Sequence, residues 1–339
     1  MNIKDQFLAT GIGSLPFQDK VKAVDFVMQN LSNHIPFWPQ LPKISFLESM
    51  HVQYSEGFPA RVIDLEKKNL YINLQSPNFI EEFEKCFNAI NTNQLDYFSI
   101  SPDYSAGFHE FIKRISGEEL KFVKGQVIGP ISYGMTLLDE KKKPLLFDAE
   151  LNEIIPQFLS FKAKWQINEF KKANPEADII MFIDEPYLVA VGTNQFASFD
   201  KTGISAKLNC LIDAIHAQGA IAGVHCCGNT DWSIILDTNV DILSFDAFEF
   251  LDSLFIYKDS LSKFINRGGV LACGIVPNKQ DYNLEGYLER ALEVLKKDKL
   301  FLQNGVVITP SCGCGTVPED FAKKVHLLSR DIAEACSGK

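Results

Sequence analysis

The sequence lacks several features that would place it in a special class of protein. It contains no run of 18 apolar residues, which excludes a conventional membrane-spanning helix. It has no internal repeat, low-complexity tract or linker rich in Gly, Pro or Ser, and this excludes collagen-like and disordered chains. The N-terminal segment has no apolar core of a secretory signal, so we expect a cytoplasmic protein with no membrane partner.

Basic residues are outnumbered by acidic ones. The chain has 33 Lys plus Arg against 43 Asp plus Glu, a formal net charge of −10. This balance argues against an extended phosphate-binding surface, and we expect no nucleic-acid partner. A small anionic substrate is still compatible with it, because a local site can differ in sign from the whole molecule.

The hydrophobic pattern indicates an α/β protein. At roughly 150 residues per domain, 339 residues suggest two domains, but an α/β barrel can use about 250 or more as one. Short apolar runs alternate with amphipathic helical stretches in the second half, which is typical of a parallel sheet. The predicted strands lie in residues 7–17, 43–49, 123–132, 177–186, 219–228, 240–249, 268–277 and 305–313.

These eight runs predict one (β/α)8 TIM barrel over residues 1–339. A ninth run, LDYFSIS (94–100), also looks extended, and we assign it to an insertion, residues 52–120, between the second and third barrel strands. An open doubly wound sheet is the alternative. The barrel is favoured because it would gather the polar ends of the runs on one face. Those ends are Ser14, Glu48, Asp184-Glu185, His225 to Cys227, Asp246 and Cys312.

Eight cysteines require explanation. Four of them occur in two short clusters, HCCG (225–228) and SCGCG (311–315). A cytoplasmic chain keeps its thiols reduced, so grouped cysteines indicate metal binding or catalysis sooner than disulfides. Cys is among the most buried residue types, and we expect the four isolated cysteines to be core residues. These are Cys86, Cys210, Cys273 and Cys336.

The strongest candidate site combines His225, Cys227 and Cys312. Side chains alternate along a strand, so His225 and Cys227 point the same way and Cys226 points oppositely. Cys312 ends another predicted strand and fits across a barrel mouth. One imidazole and two thiolates suit Zn²⁺, and three protein ligands with an open fourth position are typical of a catalytic site. We therefore predict a Zn²⁺ cofactor, with ordinary core packing of the cysteines as the alternative.

Two further positions are candidate ligands. Asp246 could supply a weak fourth ligand that an arriving thiol displaces, with Glu249 as a less favoured substitute. The alternative for Asp246 is a solvated loop acid. Cys314 could compete with Cys312, but the glycines on both sides of Cys314 indicate a tight turn and favour Cys312.

The chain resembles the cobalamin-independent methionine synthase family through six motifs in the expected order. The motifs are GIGSLP, KGQVIGPIS, FIDEP, HCCGN, VDILSFD and PSCGCGTVP. The resemblance spans residues 7–336 and extends to the superfamily that includes uroporphyrinogen decarboxylase and the corrinoid-linked coenzyme M methyltransferases. It implies a (β/α)8 barrel that binds Zn²⁺ and transfers a methyl group to a thiol, homocysteine in methionine synthases.

The resemblance also implies roles for individual residues. The family's metal ligands fall on His225, Cys227, Cys312 and, where the family has glutamate, Asp246. Its homocysteine contacts fall on Ile12, Gly13, Ser14, Glu48 and Asp184. The backbone and hydroxyl of Gly13-Ser14 can hold a carboxylate, and Glu48 and Asp184 can pair with an amino group. Glu48 and Asp184 are therefore also the candidate catalytic residues.

The resemblance leaves the methyl donor open. Full-length synthases carry a second, N-terminal half that helps to bind methylfolate, and only the catalytic half is matched. We expect either a methylated corrinoid protein or methylfolate to supply the methyl group to a small thiol substrate.

Other function classes stay open as well. A metal-free decarboxylase or lyase would gather arginines at the barrel mouth, yet only Arg61 and Arg114 occur in the first 130 residues. A coenzyme M-type methyltransferase would differ in its accepting thiol, and a binding protein would hold metal without turnover. The insertion could cover the site or dock a donor protein, or its aromatic residues could simply be core. They are Phe58, Tyr71, Tyr97, Tyr104 and Phe108.

Overall fold

The structure is a computed structural model that describes residues 3–191, 201–296 and 303–338. Its strands are β1 (Gln6–Ala9), β2 (Arg61–Asp64), β3 (Asn69–Ile72), β4 (Phe122–Ile128), β5 (Leu138–Asp139), β6 (Asp178–Asp184), β7 (Ile221–Cys226), β8 (Ile242–Phe245), β9 (Val270–Val276) and β10 (Gly305–Pro310). Its helices are α1 (Lys20–Leu31), α2 (Met50–Gln53), α3 (Phe79–Asn91), α4 (Ala106–Ile115), α5 (Pro130–Thr136), α6 (Ala149–Ala173), α7 (Lys201–His216), α8 (Ser233–Leu236), α9 (Ala247–Leu254), α10 (Lys258–Asn266), α11 (Tyr287–Lys296) and α12 (Glu319–Cys336).

Seven strands form one curled parallel sheet in the order β1-β10-β9-β8-β7-β6-β4. The order follows the chain without reversal, and the first strand lies beside the last. A doubly wound sheet would reverse its strand order at a switch point, so this alternative is wrong. The sheet is compatible with a TIM-like barrel, and all of its carboxyl ends lie at one edge.

The gap between β1 and β4 is bridged by a proline-rich segment that the sequence analysis did not identify. The Ile35 N–H donates to the Ala9 carbonyl at 3.1 Å, and the Lys124 N–H donates to the Pro36 carbonyl at 2.8 Å. Isolated parallel bridges join residue 37 to 124 and 14 to 40. The segment 35–40 thus contacts both edges of the sheet.

The predicted second strand, residues 43–49, is wrong. Phe46–Glu48 form a 3-10 helix, which the Ser45 hydroxyl caps by accepting from the Leu47 N–H at 3.2 Å. The prediction that LDYFSIS is extended is also wrong, because Leu95–Phe98 form a second 3-10 helix. Its Leu95 and Phe98, three residues apart, both pack on the core.

Residues 52–120 contain the antiparallel pair β2–β3, to which the short strand β5 adds in parallel. Helices α3 and α4 follow this pair. The interpretation of this stretch as an insertion between barrel strands stays a prediction.

Two hydrophobic clusters hold the sheet in place. Alternate residues of the strands point inward and form a small cluster that includes Phe122, Ile180, Phe182 and Ile242. Their neighbours point outward and form a larger cluster with the helices. This alternation is the period of two expected of strands, and it decides which side chains reach the barrel interior. Among the described residues, no helix is both long enough and apolar enough to cross a membrane.

Candidate metal centre

A cavity of about 450 Å³ opens where the strands of the large sheet end. Most of the residues predicted for the site lie in its wall, although they come from distant parts of the sequence. The cavity is lined by Ile12, Ser14, Gln40, Pro42, Glu48, Ser49, Met50, Asp184, Pro186, His225, Cys227, Asn278, Cys312, Gly313, Gly315 and Thr316. The carboxyl ends of the sheet thus converge on one site, as parallel barrel strands do.

His225, Cys227 and Cys312 meet at this cavity. One ligand atom from each of them lies within 4.8 Å of the others. His225 is on β7, Cys227 follows the end of this strand, and Cys312 follows the end of β10. Cys226 belongs to the outward-facing core cluster, as strand alternation predicts. The structure therefore brings the predicted trio together and leaves out its neighbour.

The imidazole of His225 is oriented by β8. His225 and Ser244 are register partners, and Nδ1 of His225 lies 2.9 Å from Oγ of Ser244. The other ring nitrogen, Nε2, is buried and has no hydrogen-bond partner among the described residues. A buried nitrogen without a partner is costly. A metal ion held by this nitrogen and the two sulfurs would satisfy it, so the residues present fit Zn²⁺.

The two thiols differ in their tendency to ionise. Contact with the Cys312 thiol lowers the pKa of Cys227, the neighbouring His225 lowers it further, and burial opposes both. The same contact, together with burial, raises the pKa of Cys312. A metal ion requires the thiolate form of cysteine, and one thiol of the pair is already biased toward it.

Asn278 fixes the loop that carries Cys312. Its Nδ2 donates to the Gly313 carbonyl at 2.9 Å, and its Oδ1 accepts from the Ser311 hydroxyl at 3.1 Å. The residues on both sides of Cys312 are therefore tied to one side chain. A Cβ on Gly313 would lie 2.3 Å from Oγ of Ser14, so a larger residue here would displace the Ser14 hydroxyl.

Asp246 is not part of the cluster of His225, Cys227 and Cys312. Its Oδ1 accepts a hydrogen bond from the Glu249 N–H at 2.9 Å and caps α9. Burial raises its pKa to about 6. Within the described residues, neither Asp246 nor Glu249 lines the cavity, and their role as a fourth ligand stays a prediction.

Two buried carboxylates line the cavity. Oδ1 of Asp184 has no hydrogen-bond partner among the described residues. Burial raises the pKa of Asp184 to about 6, and the charges of His225 and Lys124 act against this shift. Glu48 is engaged instead, because it accepts hydrogen bonds from the N–H groups of Ala106 at 2.6 Å and Leu41 at 3.3 Å. Burial raises the pKa of Glu48 to about 7.

The loop after β1 leaves three backbone N–H groups without a partner among the described residues. Ile12 and Ser14 line the cavity on either side of Gly13. In the described part of the chain, no hydrogen bond uses the N–H groups of these three residues as donors. A Cβ on Gly13 would lie 3.1 Å from the side chains of Gln126 and Gln40, which leaves little room for a larger residue.

Glu185, next to Asp184, binds the backbone at the start of α5 and does not line the cavity. Its carboxylate is buried and accepts hydrogen bonds from the backbone N–H groups of Ile131 and Ser132, each at 2.9 Å. Burial raises its pKa to about 7. The two adjacent acids of the FIDEP motif thus differ, since only Asp184 offers an unpaired oxygen to the cavity.

The remaining cysteines and the aromatic residues of 52–120 are not part of the trio's cluster or of the cavity lining. Cys86, Cys273 and Cys314 are buried, whereas Cys210 and Cys336 are half-buried. Phe58 packs against Tyr133 and Phe158, and the other four aromatics of residues 52–120 are likewise outside the cavity lining. Within the described residues these aromatics pack as core or surface and do not cover the site.

Sequence reasoning missed several polar residues around the site. Ser244 and Asn278 orient the trio, and Lys124 and Gln126 lie below the loop after β1. One signal was present, because Lys124 and Gln126 alternate with apolar residues in the run VKGQVIGPIS. Two polar residues on one face of an otherwise buried strand indicate a polar barrel interior.

A similarity to a known protein is found in the fold and not in the sequence. No family model matches the chain, and no curated protein matches it in sequence. The fold is similar to that of a candidate vitamin-B12-independent methionine synthase from Listeria monocytogenes, with a TM-score of 0.50 and 15% sequence identity. The match covers 98% of this chain and 99% of the other. At this identity, the likeness shows the fold alone.

Proposed function

We propose that the protein is a zinc-dependent methyltransferase that methylates a thiol, with homocysteine as the favoured acceptor and methionine as the product. The single observation that carries the proposal is the cluster of His225, Cys227 and Cys312 at the mouth of the sheet. The similarity in fold to a candidate methionine synthase supports it. Zn²⁺ would supply Lewis acidity that keeps an acceptor sulfur deprotonated at neutral pH.

The chain's own residues would hold the rest of an amino-acid thiol. The free oxygen of Asp184 can accept hydrogen bonds from its ammonium group. The free N–H groups of Ile12, Gly13 and Ser14 can donate to its carboxylate. These contacts would orient the sulfur for in-line attack on the donor's methyl carbon, and such orientation supplies much of the acceleration.

In this reaction the acceptor sulfur forms a bond to the methyl carbon while the bond from that carbon to the donor breaks. The bonding electrons leave with the donor, which is either a methylcorrinoid or a methylfolate. We propose a corrinoid protein or methylfolate as the partner and the thiol as the small-molecule substrate. Asp246 as a fourth ligand belongs to this proposal.

A matrix of activity assays tests the proposal. Zinc-loaded protein is incubated with methylcobalamin or methyltetrahydrofolate, and with homocysteine or coenzyme M as acceptor. We expect methionine from homocysteine with at least one donor, and loss of this product in Cys312→Ser. If methyl-coenzyme M were the only product, coenzyme M would replace homocysteine as the acceptor in the proposal. The absence of any methylated thiol in all combinations would refute the proposal.

A further inference from the structure

Lys124 is a buried lysine below the cavity for which the proposed chemistry has no role so far. Its Nζ donates to the Ile12 carbonyl at 2.7 Å and to Oε1 of Gln126 at 3.3 Å. The ammonium group also lies 4.6 Å from the centre of the Phe182 ring. Burying a cation costs free energy that an apolar side chain would not cost, so its presence calls for a reason.

The Ile12 carbonyl connects Lys124 to the cavity. The peptide bonds of the described chain are all trans, and in a trans peptide the C=O and the next N–H point in opposite directions. Because the Ile12 carbonyl points to Lys124, the Gly13 N–H points away from Lys124. The residues that flank it, Ile12 and Ser14, line the cavity. The contact with Lys124 therefore sets the direction of a free donor.

The surroundings hold Lys124 in this position. Gln126 accepts from Lys124 through Oε1, and its Nε2 donates to the Trp38 carbonyl at 3.1 Å. Asp184 lies on the neighbouring strand β6, where its register partner is Ile128 of β4. The negative charge of Asp184 interacts with Lys124 and offsets part of the cost of burying it. Asp184 thus lies at the carboxyl end of the sheet, and Lys124 lies four residues deeper along β4, so the site holds a negative charge near its mouth and a positive charge below it.

We propose that Lys124 is a positioning residue for the carboxylate of an amino-acid thiol, because it aims the Gly13 N–H and places a positive charge below it. This inference rests on the proposed function and adds to it a residue, Lys124, that favours acceptors with a carboxylate. Free backbone N–H groups above a buried cation form a site for an anion. Asp184 would serve the other end of the substrate, its ammonium group.

The test compares two thiols that differ only in the carboxylate, homocysteine and 3-aminopropane-1-thiol. Their dissociation constants are measured by calorimetry on zinc-loaded wild-type protein and on Lys124→Met. We expect the variant to bind homocysteine about tenfold or more weakly, the usual effect of losing a hydrogen bond to a charged group, and to bind the aminothiol nearly as before. Lys121→Met is the matched control, because it removes the same charge from an exposed position beside β4.

Equal losses for both thiols, or no loss for homocysteine, would overturn the inference. Zinc content is measured in each variant, since a structural effect would also lower the metal content. If circular dichroism shows that Lys124→Met does not fold, Lys124→Gln removes the charge but keeps a donor for Ile12, and it must still weaken the binding of homocysteine more than that of the aminothiol. Wild-type protein that binds neither thiol would refute the proposed function and the inference with it.

Discussion

Nδ1 of His225 lies 2.9 Å from Oγ of Ser244, its register partner on the next strand. This contact engages Nδ1 and leaves the buried Nε2 as the ring nitrogen without a partner among the described residues. With Nδ1 as the donor to Ser244, the lone pair on Nε2 is free and directed at the site. Partners of this kind fix the tautomer and the ring orientation of metal-binding histidines in general.

Replacing Ser244 with alanine should weaken zinc binding without removing a ligand. We expect the zinc affinity of Ser244→Ala to fall about 10- to 100-fold, the usual effect of losing such a partner. Competition with a chromogenic chelator measures it. Ser329→Ala is the control, because Ser329 is equally buried but donates to the Val325 carbonyl within α12. Unchanged affinity in Ser244→Ala would show that the serine does not orient the ring.

Asn278 should also affect zinc binding, because it holds the loop that carries Cys312. In Asn278→Ala the carbonyl of Gly313 and the hydroxyl of Ser311 lose a shared partner, and the loop gains freedom. We expect faster zinc release in a stopped-flow chelator experiment. Asn283→Ala, at an exposed position a few residues along the chain, should release zinc at the wild-type rate. Identical rates for the two variants would contradict the role of Asn278.

We expect substitutions at Gly129 and Glu185 to have non-additive effects on the free energy of unfolding. A Cβ on Gly129 would lie 2.2 Å from Oε1 of Glu185, although the backbone there is extended and accepts any residue. Gly129→Ala should lower the free energy of unfolding by about 1–3 kcal/mol, as overpacking does. In a Glu185→Ala background the same change should cost much less. A double-mutant cycle by urea unfolding measures the difference, and additive effects would contradict it.

Lys162 should make stability depend on pH. It is buried, it donates to the Ser99 carbonyl at 3.0 Å, and burial lowers its pKa from an ordinary 10.5 to about 7. Between these values the unfolded chain binds a proton that the folded chain does not, so the contribution of Lys162 to stability rises with pH. The upper limit of the slope is about 1.4 kcal/mol per pH unit.

The measurement compares wild type with Lys162→Met by urea unfolding from pH 7 to 10. We expect the unfolding free energy of wild type to rise relative to that of the variant across this range. Lys164→Met removes an equal charge from a half-buried position on the same helix and controls for net charge. A constant difference between wild type and Lys162→Met would show that the lysine is not held in a charge-disfavouring environment.

The sequence predicted the strands that carry the trio because their signals were local. β7 and β10 are short apolar runs, and the alternation along β7 separates Cys226 from His225 and Cys227. The order of the strands and the parallel sheet followed from the alternation of runs and helices. These features depend on periods of two and 3.6 residues, which a single sequence displays directly.

The first half of the chain was harder because its signals were weak or misleading. The segment 35–40 contains prolines, which argue against a strand, yet its carbonyls and remaining N–H groups bond to both sheet edges. Residues 43–49 looked extended but form a capped 3-10 helix. The edge contacts depend on tertiary structure, so the sequence pattern did not contain them. The Ser45 cap is local, and the sequence offered this signal.

The roles of the polar residues around the site were also hard to predict from the sequence. Lys124 is a single cation in an apolar run, and only the position of the Ile12 carbonyl, 112 residues earlier, gives it a role. Asp246 ended a predicted strand as a ligand would, yet a helix begins directly after it and uses its side chain as a cap. The contact of Lys124 joins distant segments, whereas the cap at Asp246 is local and leaves its role as a ligand a prediction.

The zinc content of the purified protein and four cysteine variants tests the central claim most directly. Each protein is loaded with Zn²⁺, freed of excess metal, and measured by mass spectrometry of the metal. The account predicts about one zinc per wild-type chain, as expected for a single three-ligand site, and its loss in Cys227→Ser and Cys312→Ser. Cys226→Ser and Cys314→Ser, which remove the neighbouring thiols, should retain it. Zinc-free wild-type protein, or full zinc in the first two variants, would contradict the account.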